Sequence, residues 1–509
     1  MAKLPLGSYE SPWLDVAGSL TELSQRLPED ELDVAVLGAG VFGATTALFL
    51  VQQGLRVCLI DAGDPLSNST TASSTVKVTL GQGTRLATIA SRLGEAAAIA
   101  HATATQSAIE MVGALAQYAP DADVANADQI VYARDDKTAR KLEHVLELVR
   151  SAGIVVHSDG EVPGLPWSTH AAIRYSDQLS LHPARYLRGL IRAAADGGAV
   201  ICLGVRATGI DDGQLIEVAT EAGVIRARNV VVATHSPVLL RGLYFARMKA
   251  KRHYGVVVQT GAQPPLAMTY DAGEPTRSTR RVRINGEDLL IVVGEAHDTG
   301  TGDIDTQPTS RWDSLVSWAD NAFGVTTVRR HWAAQDLETP DRAPFVGTMQ
   351  PGSGRILTAT GFSAWGMTDA TIAAQLVSQR LADKQADGPG DLWGPMRIGG
   401  VAGAATLAKW QAEVSARLGR GLIKGRLGDP AELSPGEAGI FRSGIAQVAA
   451  YRDAGGVLHK VSARCTHLGC TVKWNAGETS WDCPCHGSRY DIEGKVLDAP
   501  ATEPLKKVD

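Results

Sequence analysis

The sequence predicts an α/β chain whose first sheet is interrupted by a second, mixed sheet and followed by a small all-β domain. Three observations carry this. A strand, a glycine turn, a helix and a second strand succeed one another from Asp33 to Asp61. Between about 153 and 300 the texture changes to short β-branched runs broken by Gly and Asp-Gly turns, as in ICLGVRATGI and LLIVVGEA. Beyond residue 425 the chain reads as short strands, and four of its six cysteines fall between positions 465 and 485.

The first unit is the best defined. DVAVLG reads as a strand, VFGATTALFLVQQG as a helix and RVCLID as the next strand, a βαβ unit of the length a dinucleotide fold needs. Gly38-x-Gly40-x-x-Gly43 lies between strand and helix, where glycines permit a tight turn and let a helix N-terminus approach a pyrophosphate. Asp61 ends the second strand, placed to bind a ribose hydroxyl. The motif by itself does not choose between FAD and NAD, and no second GxGxxG accompanies a strand and helix.

Other elements follow from local pattern. Residues 1–30 read as a loosely ordered lead-in. Alanine-rich, helix-periodic stretches run from Arg85 to Tyr118 and from Asp135 to Ala152. RARNVVVA (226–233) reads as a buried strand returning to the first sheet, and GRILTAT with TDATIAAQLVSQRLA (354–382) as another strand and helix. The Gly/Pro-rich run 388–404 is the linker candidate, followed by the helix LAKWQAEVSARLG. The expected division is a lead-in over 1–30, an oxidoreductase module over 31–385, a linker with helix over 386–424 and a final domain over 425–509. Within the module, nucleotide-binding segments are expected at about 31–152, 200–240 and 340–385. The substrate domain is expected mainly at 153–200 and 241–339.

Bulk composition narrows the function classes. A chain of 509 residues suggests two to four domains, and 44% hydrophobic against 20% charged residues argues against global disorder. The net charge of −6 offers no broad basic surface for nucleic acid. No run of about 18 apolar residues suggests a transmembrane helix, and no apolar segment near Met1 reads as a signal peptide. A cytoplasmic enzyme is expected, with peripheral membrane contact if its acceptor is a quinone.

The cysteine cluster points to metal. Cys465-Thr-His467-Leu-Gly-Cys470 is separated by twelve residues from Cys483-Pro-Cys485-His486-Gly-Ser488. A Cys2His2 zinc site could be built from these arms, but it leaves Cys470 and Cys485 without a role. Both loops resemble, residue by residue, those of Rieske [2Fe–2S] proteins. The resemblance implies that Cys465 and Cys483 hold one iron, that His467 and His486 hold the other, and that Cys470–Cys485 form a disulfide. It also implies hydrogen-bond donors to the cluster at Ser488 and Tyr490 and a covering loop at Leu497–Thr502. Imidazoles in place of thiolates make the cluster less negative and raise its reduction potential.

The module over 31–385 resembles the D-amino-acid oxidase/glycine oxidase family of FAD oxidoreductases. The resemblance rests on Ser73-Ser74-Thr-Val-Lys77-Val, His182-Pro183-Ala-Arg-Tyr, Val232-Ala233-Thr234, Asp341-Arg-Ala-Pro344-Phe-Val-Gly347 and Gly361-Phe-Ser-Ala-Trp365-Gly366-Met367-Thr368. Trp332-Ala-Ala-Gln335-Asp336 adds a likeness to the subgroup that fuses this module to a Rieske domain. The resemblance implies FAD held by Gly38, Gly40, Val41, Phe42, Gly43, Asp61, Ala62, Ser73, Ser74, Lys77, Arg206, Ala233, Thr234, Gly361, Phe362, Trp365, Gly366, Met367 and Thr368. The family carries Glu where this chain has the shorter Asp61. No cysteine lies in the re-entrant segment, so non-covalent FAD is expected, with a histidine link left open.

By the same resemblance the activity is hydride transfer from a carbon next to an amine nitrogen, as an amine or amino-acid dehydrogenase or oxidase. Lys77, Arg252, Tyr254 and Trp365 are the expected catalytic residues. Lys77 would stabilise reduced flavin, Arg252 clamp a carboxylate, and Tyr254 and Trp365 pack the amine. His253, Arg329, Arg330, His331 and Trp332 are further pocket candidates, while His182 and His235 read as structural. Electrons are expected to leave through the cluster to a quinone, a cytochrome or an electron-transfer protein. Direct transfer to O2 beside a structural Rieske domain, and a redox sensor, are the other readings.

Overall fold

The computed structural model describes residues 4–14, 18–238, 241–349, 354–382, 390–422, 425–426, 428–443 and 446–508. Residues 1–3 and 15–17 of the expected lead-in, and 383–389 and 423–424 around the expected linker, lie outside the described residues. Two units partition the chain. The first comprises Met1–His235, His253–Ala296 and Trp312–Gly403, and the second Ser236–Arg252, His297–Arg311 and Ala404–Asp509.

In the first unit, four strands run parallel in the order Ile356–Thr360, Gly223–Val232, Leu32–Leu37, Val57–Asp61, with Val200–Leu203 parallel at the edge. Their register sets Val36 opposite both Val231 and Leu59. Strands buried on both faces need continuous apolar runs, and Val34, Ala35 and Val36 have no exposed surface. The helix Val41–Gln52 is apolar on nearly every side because it too is covered all round. The predicted returns at 226–233 and 354–360 are both in this sheet.

The second sheet has ten strands, in the order Ser8–Tyr9, Val325–Glu338, Lys249–Thr260, Glu287–Asp298, Arg277–Ile284, Met268–Asp271, Ala125–Ala133, Ala171–Ser180, Lys77–Val78, with His157–Asp159 paired to Ala171–Ser180. This corrects two boundaries. Lys77–Val78 and Ala125–Ala133, expected in the nucleotide-binding segment 31–152, pair here with Ala171–Ser180. The lead-in also contributes more than expected: Ser8–Tyr9 adds a parallel edge strand, and Trp13 is 2% exposed because its indole nitrogen is tied to the Ser74 carbonyl at 2.7 Å.

The long helical stretch predicted from Arg85 divides into Arg85–Leu93 and Glu95–Leu115. Gly94 between them has φ of 93°, a conformation that ends one helix and starts the next. Asp135 caps the helix Asp136–Ser151 through the Thr138 amide at 2.9 Å. His182 accepts the Arg185 amide through Nδ1 and Pro183 occupies the first helical position of Pro183–Asp196, so His182 caps this helix.

The second unit holds the helix Gly400–Leu422 from Ala404 on and two antiparallel sheets. One is Ala438–Ser443, Ala446–Arg452, Leu458–Ser462; the other is Lys473–Asn475, Ser480–Asp482, Arg489–Tyr490, Val496–Asp498. The all-β domain expected over 425–509 is therefore present, but its unit also draws in 236–252 and 297–311 from the middle of the chain. Among the described residues no helix is long and apolar enough to cross a membrane.

Candidate functional site

The glycine turn separates backbone necessity from ligand space. A Cβ on Gly38 (φ 107°) would lie 2.5 Å from the Ala233 carbonyl oxygen, and one on Gly43 would lie 1.8 Å from that of Gly38. Both glycines are therefore required by the chain's own packing. Gly40 differs: its Cβ would meet only Thr71 Oγ1, at 3.7 Å. Above it starts Val41–Gln52, with no side-chain cap on Gly40 and no acidic residue in the first turn. Its amides and positive dipole end suit the pyrophosphate of a dinucleotide.

Asp61 is positioned by the same turn, accepting the Ala39 amide at 2.8 Å and the Gly63 amide at 2.9 Å. Burial raises its pKa, with those two amides pulling the other way. Arg206 lies near enough to add a favourable charge. Ala62 is exposed in the turn between Asp61 and Gly63. The carbonyls of Ser73 and Ser74 are fixed by indole donors, Trp332 at 2.9 Å and Trp13 at 2.7 Å. Ala233 donates to the Leu37 carbonyl at 2.8 Å, which carries Ala233 and Thr234 to the mouth of the glycine turn.

A second cradle forms where two distant motifs meet. Gly361, Ser363 and Ala364 have φ of 75°, 51° and 71°, and this turn leads into the helix Gly366–Leu381 with Trp365 at its N-cap. Asp336 holds the turn by accepting the Ala364 amide, and the Ser363 amide donates to the Leu337 carbonyl at 3.1 Å. His235 hydrogen-bonds Thr70 through Nδ1 at 3.1 Å, and its Nε2 lies 3.4 Å from an Asp336 carboxylate oxygen. Phe362 packs edge-on to Phe42 at 6.4 Å and Trp365 lies 5.8 Å from Tyr270. Gln82 donates to Thr368 Oγ1 at 3.2 Å, and Arg85 pairs with buried Asp369 at 2.6 Å. Non-glycine residues in the left-handed region are costly, and here they turn amides and a helix start toward one place. These residues fit a flavin, with Met367 and Thr368 in the first helical turn.

Lys77 is buried with its ammonium donating to the Thr269 carbonyl at 2.7 Å and to Ser278 Oγ. Burial, helped by Arg280, lowers its pKa well below the usual lysine value. Two other expectations need correction. Arg252 is 2% exposed and paired with Glu478, so its guanidinium has a carboxylate of the chain itself in place of a substrate's. Tyr254 is 3% exposed, edge-on to Trp312 at 4.9 Å in an apolar cluster with Val256 and Leu290, because it shares the strand face of Arg252. Arg329 pairs with Glu287 at 3.1 Å at the surface, Arg330 reaches the Ser11 carbonyl at 3.3 Å, and His331 packs on Tyr9. Of that run only Trp332 reaches the flavin cradle, through Ser73.

The metal-ligand loops sit between strands of the second unit. Cys465 donates its amide to the Cys470 carbonyl at 2.8 Å, and Cys483 to that of Ser488 at 2.7 Å, closing each loop. Cys470 and Cys485 form a disulfide with Cα atoms 6.5 Å apart, and their sulfurs lie within 4.8 Å of that of Cys483. That leaves the buried, free Cys465 and Cys483 as thiolate donors. The imidazoles of His467 and His486 stand perpendicular, 5.1 Å apart. Tyr490 Oη lies 3.1 Å from Cys465 Sγ, and Ser488 Oγ accepts the Ala501 amide at 3.0 Å from the covering loop. The Cys465 thiol is lowered in pKa, first by its contact with Cys483 and further by Tyr490 and Ser488, against the cost of burial. Two thiols, two imidazoles and donors aimed at sulfur fit a Rieske cluster.

Sequence reasoning missed the residues that surround this centre. Phe245 packs edge-on against both imidazoles, 4.5 Å from His467 and 5.0 Å from His486. Glu478 and Arg489 form a buried network with Arg252, Asp482 and Asp498. No local motif marks these residues. For Glu478 and Arg489 the sequence signal is charge in otherwise strand-like runs, and Phe245 carries none.

Known proteins agree with this division. Residues 33–380 match the FAD dependent oxidoreductase family and residues 425–509 the Rieske [2Fe-2S] domain. A protein of Bacillus subtilis (strain 168), YhfW, named for a Rieske 2Fe-2S iron-sulfur centre, is 33% identical over 491 residues, covering 95% of this chain and 94% of its own. The iron-sulfur subunit of the cytochrome b6-f complex of Prochlorococcus marinus is 38% identical over 118 residues, 21% of this chain and 57% of that subunit. Among solved structures, glycine oxidase from Geobacillus kaustophilus superposes with a TM-score of 0.59 at 18% identity, over 72% of this chain and 99% of that one. L-proline dehydrogenase from P. horikoshii superposes with a TM-score of 0.60 at 17% identity, over 72% and 98%. At such identities these two likenesses concern the fold.

Proposed function

This chain belongs to the FAD-dependent oxidoreductase family and carries a C-terminal Rieske [2Fe–2S] domain, and we propose that it oxidises a C–N bond of an amine or amino acid and relays the electrons to an external acceptor. The observation that carries this reading is the make-up of the second unit: two segments from within the flavin module are packed into the same unit as the cluster ligands. FAD supplies the hydride acceptor, and the cluster supplies one-electron steps. Two proteins that share this fold are named for glycine and L-proline, and an amine-type substrate is proposed here by that analogy.

The chain's own residues have defined parts in this reading. The helix start at Gly40–Val41 and the carboxylate of Asp61 bind the dinucleotide, with Ser73, Ser74, Ala233 and Thr234 lining its course. The turn Gly361–Ala364, held by Asp336, orients the first amides of Gly366–Leu381 toward developing negative charge. Lys77 and Trp365 are the proposed residues at the reacting centre, Lys77 as a buried amine that burial and Arg280 bias toward its neutral form and Trp365, near Tyr270, as a wall that excludes water. Arg252 and Tyr254 have other duties and are left out. The acceptor is proposed to be a quinone, a cytochrome or an electron-transfer protein, reached in the cytoplasm or at a membrane surface.

An anaerobic titration of the holoprotein against amines and amino acids tests the reading, with flavin absorbance and the EPR signal of the reduced cluster followed together. Bleaching of the flavin followed by the Rieske signal is expected. A bleached flavin beside a cluster that stays oxidised sinks the relay and favours direct transfer to O2.

A further inference from the structure

The segment Ser236–Arg252 leaves the strand Gly223–Val232 and is part of the second unit. It makes one short helical turn, Tyr244–Arg247, after a sharp bend at Gly242 (φ 70°) and Leu243 (φ 48°). Tyr244 is 1% exposed and anchors the turn, and the next residue is Phe245. Its ring meets His467 at 84° and His486 at 85°, and the two imidazoles are themselves at 87°. Three mutually perpendicular rings in edge-to-face contact are the favoured arrangement for aromatic groups.

A second observation concerns one of the same imidazoles. Nε2 of His467 is buried and has no hydrogen-bond partner among the described residues. A buried imidazole nitrogen ordinarily finds a partner, since leaving one without is costly. The Phe245 ring, 4.5 Å from this imidazole and edge-on to it, is the apolar neighbour it has.

The cover is also held in place. Gln411, on the helix Gly400–Leu422, donates to the carbonyl of Ala246, the neighbour of Phe245. Lys249 is tied to Glu413 of the same helix at 2.9 Å and to Asp298 at 3.0 Å. Arg417 of that helix reaches the Pro484 carbonyl at 2.8 Å, inside the ligand loop of Cys483 and His486. One helix therefore fastens both the covering turn and the loop that it covers.

We propose that Phe245 is a positioning residue that closes the imidazole edge of the [2Fe–2S] site, keeping hydrogen-bonding molecules away from His467. His486 differs from His467 in lining a small cleft, together with Met248, Trp410, Val414, Arg417 and one side of Phe245 itself. The inference rests on the Rieske centre alone and stands or falls independently of the amine substrate.

The test is solvent exchange at the cluster histidines of the dithionite-reduced holoprotein. Protein is diluted into D2O, frozen at timed intervals and read by pulsed EPR for deuterons coupled to the cluster. Wild type is expected to show two histidine populations, one exchanged at the first time point and one at least tenfold slower. Phe245→Ala should bring both into the first time point, and Phe245→Leu, which restores an apolar cover, should recover the slow one. A single fast population in wild type overturns the proposal, and so does a slow population that survives Phe245→Ala. Should Phe245→Ala fail to hold its cluster, Phe245→Val takes its place, with loss of the slow population expected and its survival overturning the proposal.

Discussion

At the scale of single residues, the glycine turn makes a sharp distinction. Gly38 and Gly43 admit no Cβ without collision with backbone, whereas Gly40 has open space in the protein itself. Gly40→Ala is therefore expected to fold normally and to lose flavin affinity by at least tenfold, because the added methyl enters the pyrophosphate space. Flavin retained on gel filtration, compared with the melting temperature of the apoprotein, checks this; full flavin content in the variant would refute it. Asp298 carries a pH dependence. Burial opposes its charge, but Lys251 and Lys249 outweigh burial and hold its pKa at about 2, below the ordinary 3.8. A carboxyl lowered on folding contributes stability above about pH 4 and loses it as the pH falls toward 2. Discounted for its partial exposure, the contribution is about 1–2 kcal/mol. Asp298→Asn should lower stability at pH 7 by that amount and flatten the acid limb, as thermal melts from pH 7 to pH 2 would show.

At the scale of elements, the Arg252 network decides how the middle of the chain is used. A guanidinium 3% exposed against a carboxylate 2% exposed is a pair that cannot lose one member cheaply. Removing one partner of a buried pair costs on the order of 3–5 kcal/mol. Arg489 still reaches Glu478 at 2.8 Å, so Arg252→Ala belongs at the lower end of that range. Denaturant unfolding followed by cluster absorbance measures it, with Arg329→Ala as the contrast, expected within about 1 kcal/mol because its pair with Glu287 is exposed. The strand face explains why the sequence misled at this point. Arg252 and Tyr254 point to one side of Lys249–Thr260 and Gly255 to the other, where a Cβ would strike the Trp332 ring at 2.5 Å. Strand periodicity shows that the two residues share a face, but not which face looks toward the flavin.

At the scale of the whole molecule, the proposed relay has a stoichiometric signature. A two-electron donor fills an FAD that takes two electrons and a cluster that takes one, so complete anaerobic reduction needs about 1.5 equivalents of substrate. An isolated cluster would end the titration at about one. This sharpens the amine titration into a count that does not depend on rates. The outcome bears on why two sections of the flavin module, 236–252 and 297–311, are built into the unit that carries the cluster ligands.

Much of this was legible from residues alone. The parallel strands and the glycine turn were identifiable because each depends on short-range chemistry, β-branched runs and left-handed turns, whereas spacing marked the two Cys/His arms as a metal site and only the family resemblance proposed which four residues ligate it. The disulfide followed only from family resemblance, yet the structure forms it between the same two cysteines. What only the tertiary structure decided involves residues far apart in sequence. Asp336 meets Ala364, Arg252 meets Glu478 across 226 positions, and Phe245 meets two imidazoles more than two hundred residues downstream. Such contacts are set by chain crossovers and by which face of a strand is buried. A sequence determines its local elements through near neighbours, whereas partners brought together by packing leave no periodicity or spacing to be read.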